Sequence, residues 1–130
     1  MAGGEPVVRY AAIDLDGTMV DAAGLVGDRM EAGLRSLRER GIRPIIATGR
    51  SSFALSRLGL RAELVSLFEP VMVLRDGDLI YDQDRQSAVH MRFLPAVTVA
   101  VLASRFPDVV CEYPHAIVAS SRRAALRYAM

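Results

Sequence analysis

Two aspartates, Asp14 and Asp16, stand two residues apart where an apolar run of strand-forming residues ends. One carboxylate of such a pair can attack a phosphoryl group as a nucleophile. The other can protonate the leaving oxygen and later activate a water molecule. Two carboxylates repel a phosphate, so the chemistry also requires a cation such as Mg²⁺, which prefers oxygen ligands. The pair alone is a weak signal, because this spacing is more often a solvated turn.

A second apolar run, residues 42–47, is followed by a hydroxyl, a glycine and the predicted start of a helix. Thr48 and Gly49 can bind a phosphate together, since backbone N–H groups at such a turn point at an anion. In an open α/β sheet, ligands bind at the carboxyl ends of the strands. An acidic strand end beside a phosphate-binding one, with Arg50 next to it, predicts a phosphoryl-transfer site.

Strands and helices alternate along the segments that would hold these residues. The sequence predicts strands over residues 7–13, 42–47 and 71–74 and helices from residue 28 and from residue 51 or 52. Asp28 is the expected N-cap of the first helix and Gly41 its terminator. Asp76 and Gly77 are a hairpin signal. This alternation is typical of an α/β fold with a parallel sheet.

After residue 82 the pattern changes, and the polar segment 82–87 predicts a boundary between domains 1–82 and 83–130. The predicted helix over residues 96–106 would turn Val97, Val101 and Leu102 inward. The other elements expected there are a strand at 88–94, two strands or one strand broken by Pro114 over 109–113 and 116–119, and a helix at 122–130 capped by Ser120 or Ser121.

The composition excludes several classes of protein. Hydrophobic residues make up 52% of the 130-residue chain and charged residues 24%, which indicates a globular protein. Its net charge of +1 gives no electrostatic case for nucleic acid. The single cysteine, Cys111, excludes an intrachain disulfide and a multi-cysteine zinc site. The longest mostly apolar stretch, residues 93–103, is too short to span a bilayer.

Two further features of the composition concern location and charge. No signal peptide is recognised, so a cytoplasmic protein is expected. All 16 basic residues are arginine, so a mechanism that needs a lysine cannot run on this chain alone.

The chemistry-bearing segments resemble motifs of the haloacid dehalogenase (HAD) superfamily. Residues 13–18 resemble its first motif, and residues 45–50 its second, in the form found in Cof-type, class IIB phosphatases. Residues 73–82 are similar to the segment before the cap domain, with Asp76 where asparagine is usual. The resemblance implies an incomplete Rossmann-like core followed by the start of an α+β cap.

The resemblance also implies roles for particular residues. Asp14 would be the nucleophile that forms an aspartyl-phosphate and a Mg²⁺ ligand. Asp16 would be the general acid/base, with its backbone carbonyl on the metal. Thr48 and the Gly49 N–H would bind the transferring phosphoryl group, and Arg50 would face the substrate or the cap. The implied activity is Mg²⁺-dependent hydrolysis of a small phosphorylated metabolite.

One departure from the family pattern is large. The third motif supplies a lysine or sometimes an arginine and the fourth supplies further carboxylates, and both follow the cap in this subclass. The chain has no lysine and ends before those motifs. We therefore expect the N-terminal part of such a phosphatase, which would be a truncated gene product, one half of a split protein or a cut piece of a longer chain. The chain alone is expected to have little or no turnover, and a second chain that carries the missing motifs is expected to rescue it.

Two other functions remain alternatives at this stage. A non-catalytic fragment or binding subunit is favoured by the missing motifs, whereas the intact Asp14 and Asp16 pair favours an enzyme. A receiver-like signalling domain also phosphorylates an aspartate beside Mg²⁺. It is disfavoured, because a receiver carries its acceptor aspartate after a later strand, and the second strand here ends in Thr48 and Gly49.

Several other polar residues have a structural interpretation that outweighs a functional one. Asp76 and Asp78 are expected in a turn, and Asp21 and Asp28 in a helix cap or a solvated loop. Partly buried packing is expected for His90 and His115, and a small core position for Cys111. The arginines near the end of the chain are expected on a solvated helix face: Arg122, Arg123 and Arg127.

Overall fold

The computed structural model describes residues 7–112 and 117–129. Their contacts form two compact units, of which the first ends at Met91 and the second begins at Arg92. The elements of the first unit are β1 (Tyr10–Ile13), α1 (Asp28–Glu39), β2 (Arg43–Ile46), α2 (Ser52–Ser56), α3 (Ala62–Val65), β3 (Val71–Leu74), β4 (Leu79–Asp82) and β5 (Ser87–Met91). Those of the second unit are α4 (Ala96–Arg105), β6 (Val110–Glu112), β7 (Ile117–Ala119) and α5 (Arg122–Ala129).

Three parallel strands bring their carboxyl ends to one edge of the first unit. β1 pairs with β2 in parallel, with Ile13 opposite Ile46 at the end of the ladder. A parallel bridge between Ala47 and Val73 joins β3 to the other side of β2, and the Thr48 N–H donates to the Val73 carbonyl at 2.9 Å. β4 and β5 then continue the order as antiparallel strands. The predicted α/β fold with a parallel sheet is confirmed.

Apolar side chains from the strands, helices and connecting loops form the core of the first unit. Leu15 and Ile46 are fully buried and Leu34 of α1 is nearly so, which anchors the helix and the turn after β1 to the strands. Burying side chains of this size contributes about 1.5–3 kcal/mol each relative to exposure. The buried members of this core are Leu15, Met19, Val20, Leu34, Ile46, Leu64, Leu67, Phe68, Met72, Leu74 and Leu79.

The limits of α1 correct one prediction and confirm another. Gly27, not Asp28, is the N-cap, and Asp28 is the first helical residue. An acidic side chain is still favourable there, because it lies beside the unpaired N–H groups of the first turn. Gly41 follows the helix with φ +77°, and its N–H donates to the Arg38 carbonyl at 2.9 Å. The predicted terminator is therefore in place.

Other element limits differ from the predicted ones. β1 begins at Tyr10 rather than residue 7, and the Val7 side chain is 78% exposed, so the apolar run is longer than the pairing available to it. The helix that begins at Ser52 ends at Ser56, and α3 follows separately. Gly59 lies between them with φ +60°. This conformation interrupts a helix, and glycine adopts it without steric cost.

The polar segment 82–87 forms the connection between β4 and β5. Asp82 pairs with Ser87 across the two strands, and its Oδ1 accepts hydrogen bonds from the N–H groups of Asp84 and Arg85. β5 therefore belongs to the first compact unit. The assignment of residues 1–82 to a core and 83–130 to a cap stays a prediction, because compactness alone does not define a cap.

The second unit contains an antiparallel pair and two helices. β6 pairs with β7, and α5 packs on both strands. The predicted inward face of α4 is wrong at two of its three positions, since Val97 is 70% and Val101 45% exposed. Thr98, Val99 and Leu102 are the half-buried side chains of this helix.

The start of α5 is capped by one of the two predicted serines. The Ala124 N–H donates to Ser121 Oγ at 3.0 Å, whereas Ser120 Oγ binds the Pro107 carbonyl at 2.9 Å. The choice between two strands and one strand broken at Pro114 falls on residues outside the described part of the chain. Within the described residues, no helix is long and apolar enough to cross a membrane.

Candidate active site

The turn after β1 exposes both aspartates by burying the residue between them. The Ile13 carbonyl accepts a hydrogen bond from the Ala47 N–H at 3.0 Å, which fixes the end of β1 against β2. Leu15 is fully buried, and its carbonyl accepts from the Val20 N–H at 2.8 Å. Asp14 and Asp16, on either side of it, are exposed at the sheet edge.

A short loop continues from this turn. Val20 bridges both Asp16 and Val26, which folds the chain back on itself before α1. Asp21 Oδ1 accepts hydrogen bonds from the N–H groups of Ala23 and Leu25, both at 2.9 Å. This carboxylate thus stabilises a turn, in agreement with the loop role predicted for Asp21.

The segment after β2 forms the second side of the site. Thr48 is buried, and its Oγ1 accepts a hydrogen bond from the Arg50 N–H at 3.2 Å. Ser51 Oγ accepts from the Ala54 N–H at 3.1 Å and caps α2, which selects Ser51 from the two predicted caps. The Gly49 N–H donates to no group in the described residues. It is therefore free to bind an anion at this edge.

A bidentate ion pair joins the two sides of the site. Arg50 donates from Nε to Asp16 Oδ2 and from Nη2 to Asp16 Oδ1, both at 2.7 Å. The side chains are 31% and 51% exposed, respectively. Hydrogen bonding by the Arg50 guanidinium lowers the pKa of Asp16, and the same bonds raise the pKa of Arg50. Arg50 Nη1 also donates to the Ala54 carbonyl at 3.3 Å, so α2 helps to orient the guanidinium.

A third strand end brings Asp76 into the site. The Asp76 N–H donates to the Thr48 carbonyl at 3.4 Å, and the Arg75 N–H donates to the Arg50 carbonyl at 3.1 Å. A Cβ placed on Gly49 would lie 2.9 Å from Asp76 Oδ1. Sequence reasoning assigned Asp76 to a turn, which is right, but missed that this turn lies against Gly49. The one sequence feature that pointed to a special role for Asp76 was the aspartate in place of the usual asparagine.

Comparison with known proteins identifies the family. The sequence pattern of the haloacid dehalogenase-like hydrolases matches residues 11–122. The chain belongs to this family. The match includes both segments that carry the site, residues 13–18 and 45–50. The predicted HAD membership is therefore confirmed.

Solved structures of other proteins share the fold of this chain. A hypothetical protein of Geobacillus kaustophilus superposes with a TM-score of 0.71 at 20% identity, over 89% of this chain and 44% of that one. A sugar phosphatase of HAD subclass IIB gives 0.69 at 18%, over 92% and 47%. A phosphatase of the superfamily from Bacteroides thetaiotaomicron gives 0.68 at 18%, over 92% and 44%. The chain thus spans less than half of their length. The search of curated proteins gives no match.

The oxygen donors of this HAD site fit a magnesium ion. The Asp14 carboxylate has no hydrogen-bond partner among the described residues, and the Asp16 carbonyl accepts no backbone hydrogen bond there. Mg²⁺ takes one or two protein carboxylates and completes its shell with water and phosphate oxygens. The described residues contain no cluster of three or more histidine, cysteine or acidic side chains that could hold a metal by themselves.

The remaining polar candidates lie away from this site in sequence and have other environments. His90 is exposed on β5, so the partly buried packing predicted for it is wrong, and Cys111 is half-buried on β6. Arg127 Nη1 lies 3.7 Å from Asp108 Oδ2. Arg122 and Arg123 are exposed on α5, in agreement with the predicted solvated face. His115 lies outside the described residues.

Proposed function

We propose that this chain carries the nucleophile and the general acid/base of a Cof-type, class IIB phosphatase that hydrolyses a small phosphate monoester through an aspartyl-phosphate. The observation that carries the proposal is the meeting of two adjacent strand ends. Asp14 and Asp16 follow β1, Thr48 and Gly49 follow β2, and Arg50 joins the two segments through Asp16. A phosphoryl group at this edge would meet a carboxylate on one side and a hydroxyl and an N–H on the other.

The reaction proceeds in two displacements. A carboxylate oxygen of Asp14 attacks phosphorus, the bond between phosphorus and the ester oxygen breaks, and that oxygen takes a proton from Asp16. Asp16, now a carboxylate, then removes a proton from a water molecule. The resulting hydroxide attacks phosphorus, inorganic phosphate leaves, and the Asp14 carboxylate is regenerated. Thr48 and the Gly49 N–H hold the phosphoryl oxygens in both steps.

Arg50 competes for the groups that this reaction uses. While it donates to both oxygens of Asp16, that carboxylate is held ionised and is not ready to donate a proton. A phosphate is also a bidentate acceptor for a guanidinium. The bound ester therefore offers the Arg50 guanidinium an alternative hydrogen-bond acceptor. When Arg50 donates to the phosphoryl oxygens instead of to Asp16, the Asp16 carboxylate becomes free for proton transfer.

A magnesium ion would be held by the Asp14 carboxylate and the Asp16 carbonyl. When bound, it supplies positive charge that reduces the repulsion between the Asp14 carboxylate and the phosphoryl oxygens. Asp14 then serves both as ligand and as nucleophile, and its exposed position at the end of β1 suits both roles.

Phosphorylation by a small donor tests this function. Acetyl phosphate with Mg²⁺ should add one phosphoryl group to the chain, detectable by intact mass and removed by hydroxylamine, and Asp14→Asn should abolish the product. Asp28→Asn, at the first residue of α1, is the matched control and should label normally. Hydrolysis of a panel of sugar phosphates should fall on the order of a thousandfold or more in Asp14→Asn. Labelling that persists in Asp14→Asn contradicts the assigned nucleophile.

A binding subunit without turnover is the second candidate function. The described strands give β1 one neighbour, β2. Ligands in open α/β sheets bind where strands lie on both sides of the site. The chain also has no lysine to place near the phosphoryl oxygens. A second chain that adds a strand and a cation beside β1 would meet both needs. Binding of phosphate esters without labelling of Asp14 would favour this candidate. The cytoplasmic location stays a prediction.

A further inference from the structure

We propose that Asp76 determines specificity at the Thr48–Gly49 phosphate site by selecting phosphate esters with a hydroxyl donor close to the phosphoryl group. The inference rests on the proposed function, because it takes the Thr48–Gly49 edge as the phosphoryl site. It adds a residue, Asp76, that distinguishes phosphate esters with a nearby hydroxyl from esters without one.

The loop that carries Asp76 is fastened to the phosphate side of the site by backbone hydrogen bonds. Both backbone polar groups of Thr48 form hydrogen bonds to this segment. The Thr48 N–H donates to the Val73 carbonyl at 2.9 Å, and the Thr48 carbonyl accepts from the Asp76 N–H at 3.4 Å. The Arg75 N–H donates to the Arg50 carbonyl at 3.1 Å. Residues 73–76 therefore cannot shift without moving residues 48–50.

The side chain of Asp76 lies over Gly49. All three atoms of its carboxyl group come within 3.4 Å of a Cβ placed on Gly49, and Oδ1 within 2.9 Å. The carboxylate occupies the volume that a side chain at position 49 would take. It therefore lies beside the residue whose N–H is free to bind a phosphoryl oxygen.

The backbone conformation of Asp76 sets the direction in which its side chain leaves the loop. Asp76 has φ 54° and ψ 29°. This is the left-handed region, which aspartate and asparagine tolerate better than other residues with a side chain. Gly77 follows with φ +97°. Asparagine fits this position without new strain, so replacement of the carboxylate by an amide changes charge and leaves the loop geometry intact.

The chemistry of a carboxylate decides which ligand it accepts. The Asp76 carboxylate is exposed and has no hydrogen-bond partner among the described residues. An ionised carboxylate only accepts hydrogen bonds. A bare phosphate dianion offers acceptors and negative charge, so it is repelled, whereas an ester with a nearby hydroxyl can donate to Asp76. Hydrogen bonds to a charged group are stronger than neutral ones.

A matched pair of ligands tests the selection. Glycerol 3-phosphate and propyl phosphate have the same carbon skeleton and phosphate, and only the first has hydroxyls. We expect the chain with Mg²⁺ to bind glycerol 3-phosphate roughly tenfold or more tightly than propyl phosphate in titration calorimetry. The ratio should fall to about threefold or less in Asp76→Asn and to about one in Asp76→Gly, which suits the positive φ. Asp78→Asn, in the same loop, is the matched control and should retain the ratio.

The outcomes separate this inference from the proposed function. A ratio near one in the parent chain, a ratio unchanged in both Asp76 variants, or an equal weakening of both ligands overturns the selection by Asp76. Binding of neither ester overturns it together with the phosphate site. Labelling of Asp14 by acetyl phosphate without any ester selectivity rejects the inference alone. Ester selectivity without labelling rejects the proposed chemistry and leaves the recognition by Asp76 in place.

Discussion

The ion pair between Arg50 and Asp16 should contribute measurably to folding stability. Both nitrogen–oxygen distances are 2.7 Å. Two unit charges this close attract by roughly 1.5 kcal/mol in water. The side chains are 31% and 51% exposed, so solvent screening and side-chain ordering reduce this value. Exposed pairs contribute about 0.2–1 kcal/mol, and bidentate geometry places this one at the upper end. We expect a coupling energy of about 1 kcal/mol.

A double-mutant cycle measures this coupling. The free energy of unfolding in urea is determined for the parent chain, Arg50→Ala, Asp16→Asn and the double variant at pH 7 and low salt. The cycle separates the pair from the bond between Arg50 and Ala54, because that bond is lost in both arms. Arg29→Ala in α1 controls for loss of an arginine. High salt should reduce the coupling.

The pH dependence of the coupling follows from the pKa of Asp16, which Arg50 lowers below its ordinary value of 3.8. In the unfolded chain Asp16 regains that value and binds its proton at a higher pH than in the folded state. The contribution is therefore present above the unfolded pKa and is lost as the pH falls through the folded pKa. A coupling near zero at pH 7, or one that persists unchanged when the pH falls through that range, would refute the reasoning.

Three further predictions concern the same edge of the sheet. Asp16→Asn should lower kcat by about 10²–10⁴-fold with little change in KM, because proton transfer acts in the transition state; steady-state kinetics checks this, and a raised KM with unchanged kcat contradicts it. Ser51→Ala should cost about 1 kcal/mol of stability in urea unfolding through loss of the cap on Ala54, and Ser51→Asn should retain most of it. Gly49→Ala should destabilise the chain by displacing the Asp76 carboxylate, and an Asp76→Gly background should remove most of that cost.

The first half of the fold was predictable because its signals are local. Short apolar runs end in turn residues and alternate with helical spacing, and the parallel arrangement then follows from the connections. Element limits were less predictable. Valine is a strand-forming residue, but Val7 lies before the start of the ladder between β1 and β2. That ladder begins with Tyr10 opposite Arg43.

The second unit was harder to predict because α4 is apolar around much of its circumference. A helix with valine at positions 97, 99 and 101 gives no unique buried face, so spacing alone could not separate Val97 and Val101 from Thr98 and Val99. The exposed side chains of Val97 and Val101 therefore show that helical spacing did not identify the buried side of α4.

The site was predictable to the level of segments but not of partners. Asp14, Asp16, Thr48 and Gly49 fall at strand ends whose order fixes their edge of the sheet. The bond from Arg50 to Asp16 spans 34 positions, and no periodicity in the sequence encodes a contact of that separation. The approach of Asp76 to Gly49 likewise depends on the register between β2 and β3.

If the proposed phosphoryl transfer takes place at this edge, the charges there call for a further cation. Asp14 and Asp16 follow β1 and Asp76 follows β3, the strands on either side of β2, and Arg50 donates both of its short hydrogen bonds to Asp16. Each of these carboxylates would repel a phosphate dianion that enters this edge, and added positive charge would reduce that repulsion. In the proposed reaction, magnesium held by Asp14 would compensate for one carboxylate. A move of Arg50 to the phosphate would leave Asp16 without its ion-pair partner unless it is protonated. Asp76 would be compensated by a hydrogen-bond donor on the ligand. We therefore expect proton uptake by Asp16, metal binding by Asp14 and recognition by Asp76 to be linked through one electrostatic balance, in which each of them favours the binding of the same phosphoryl group.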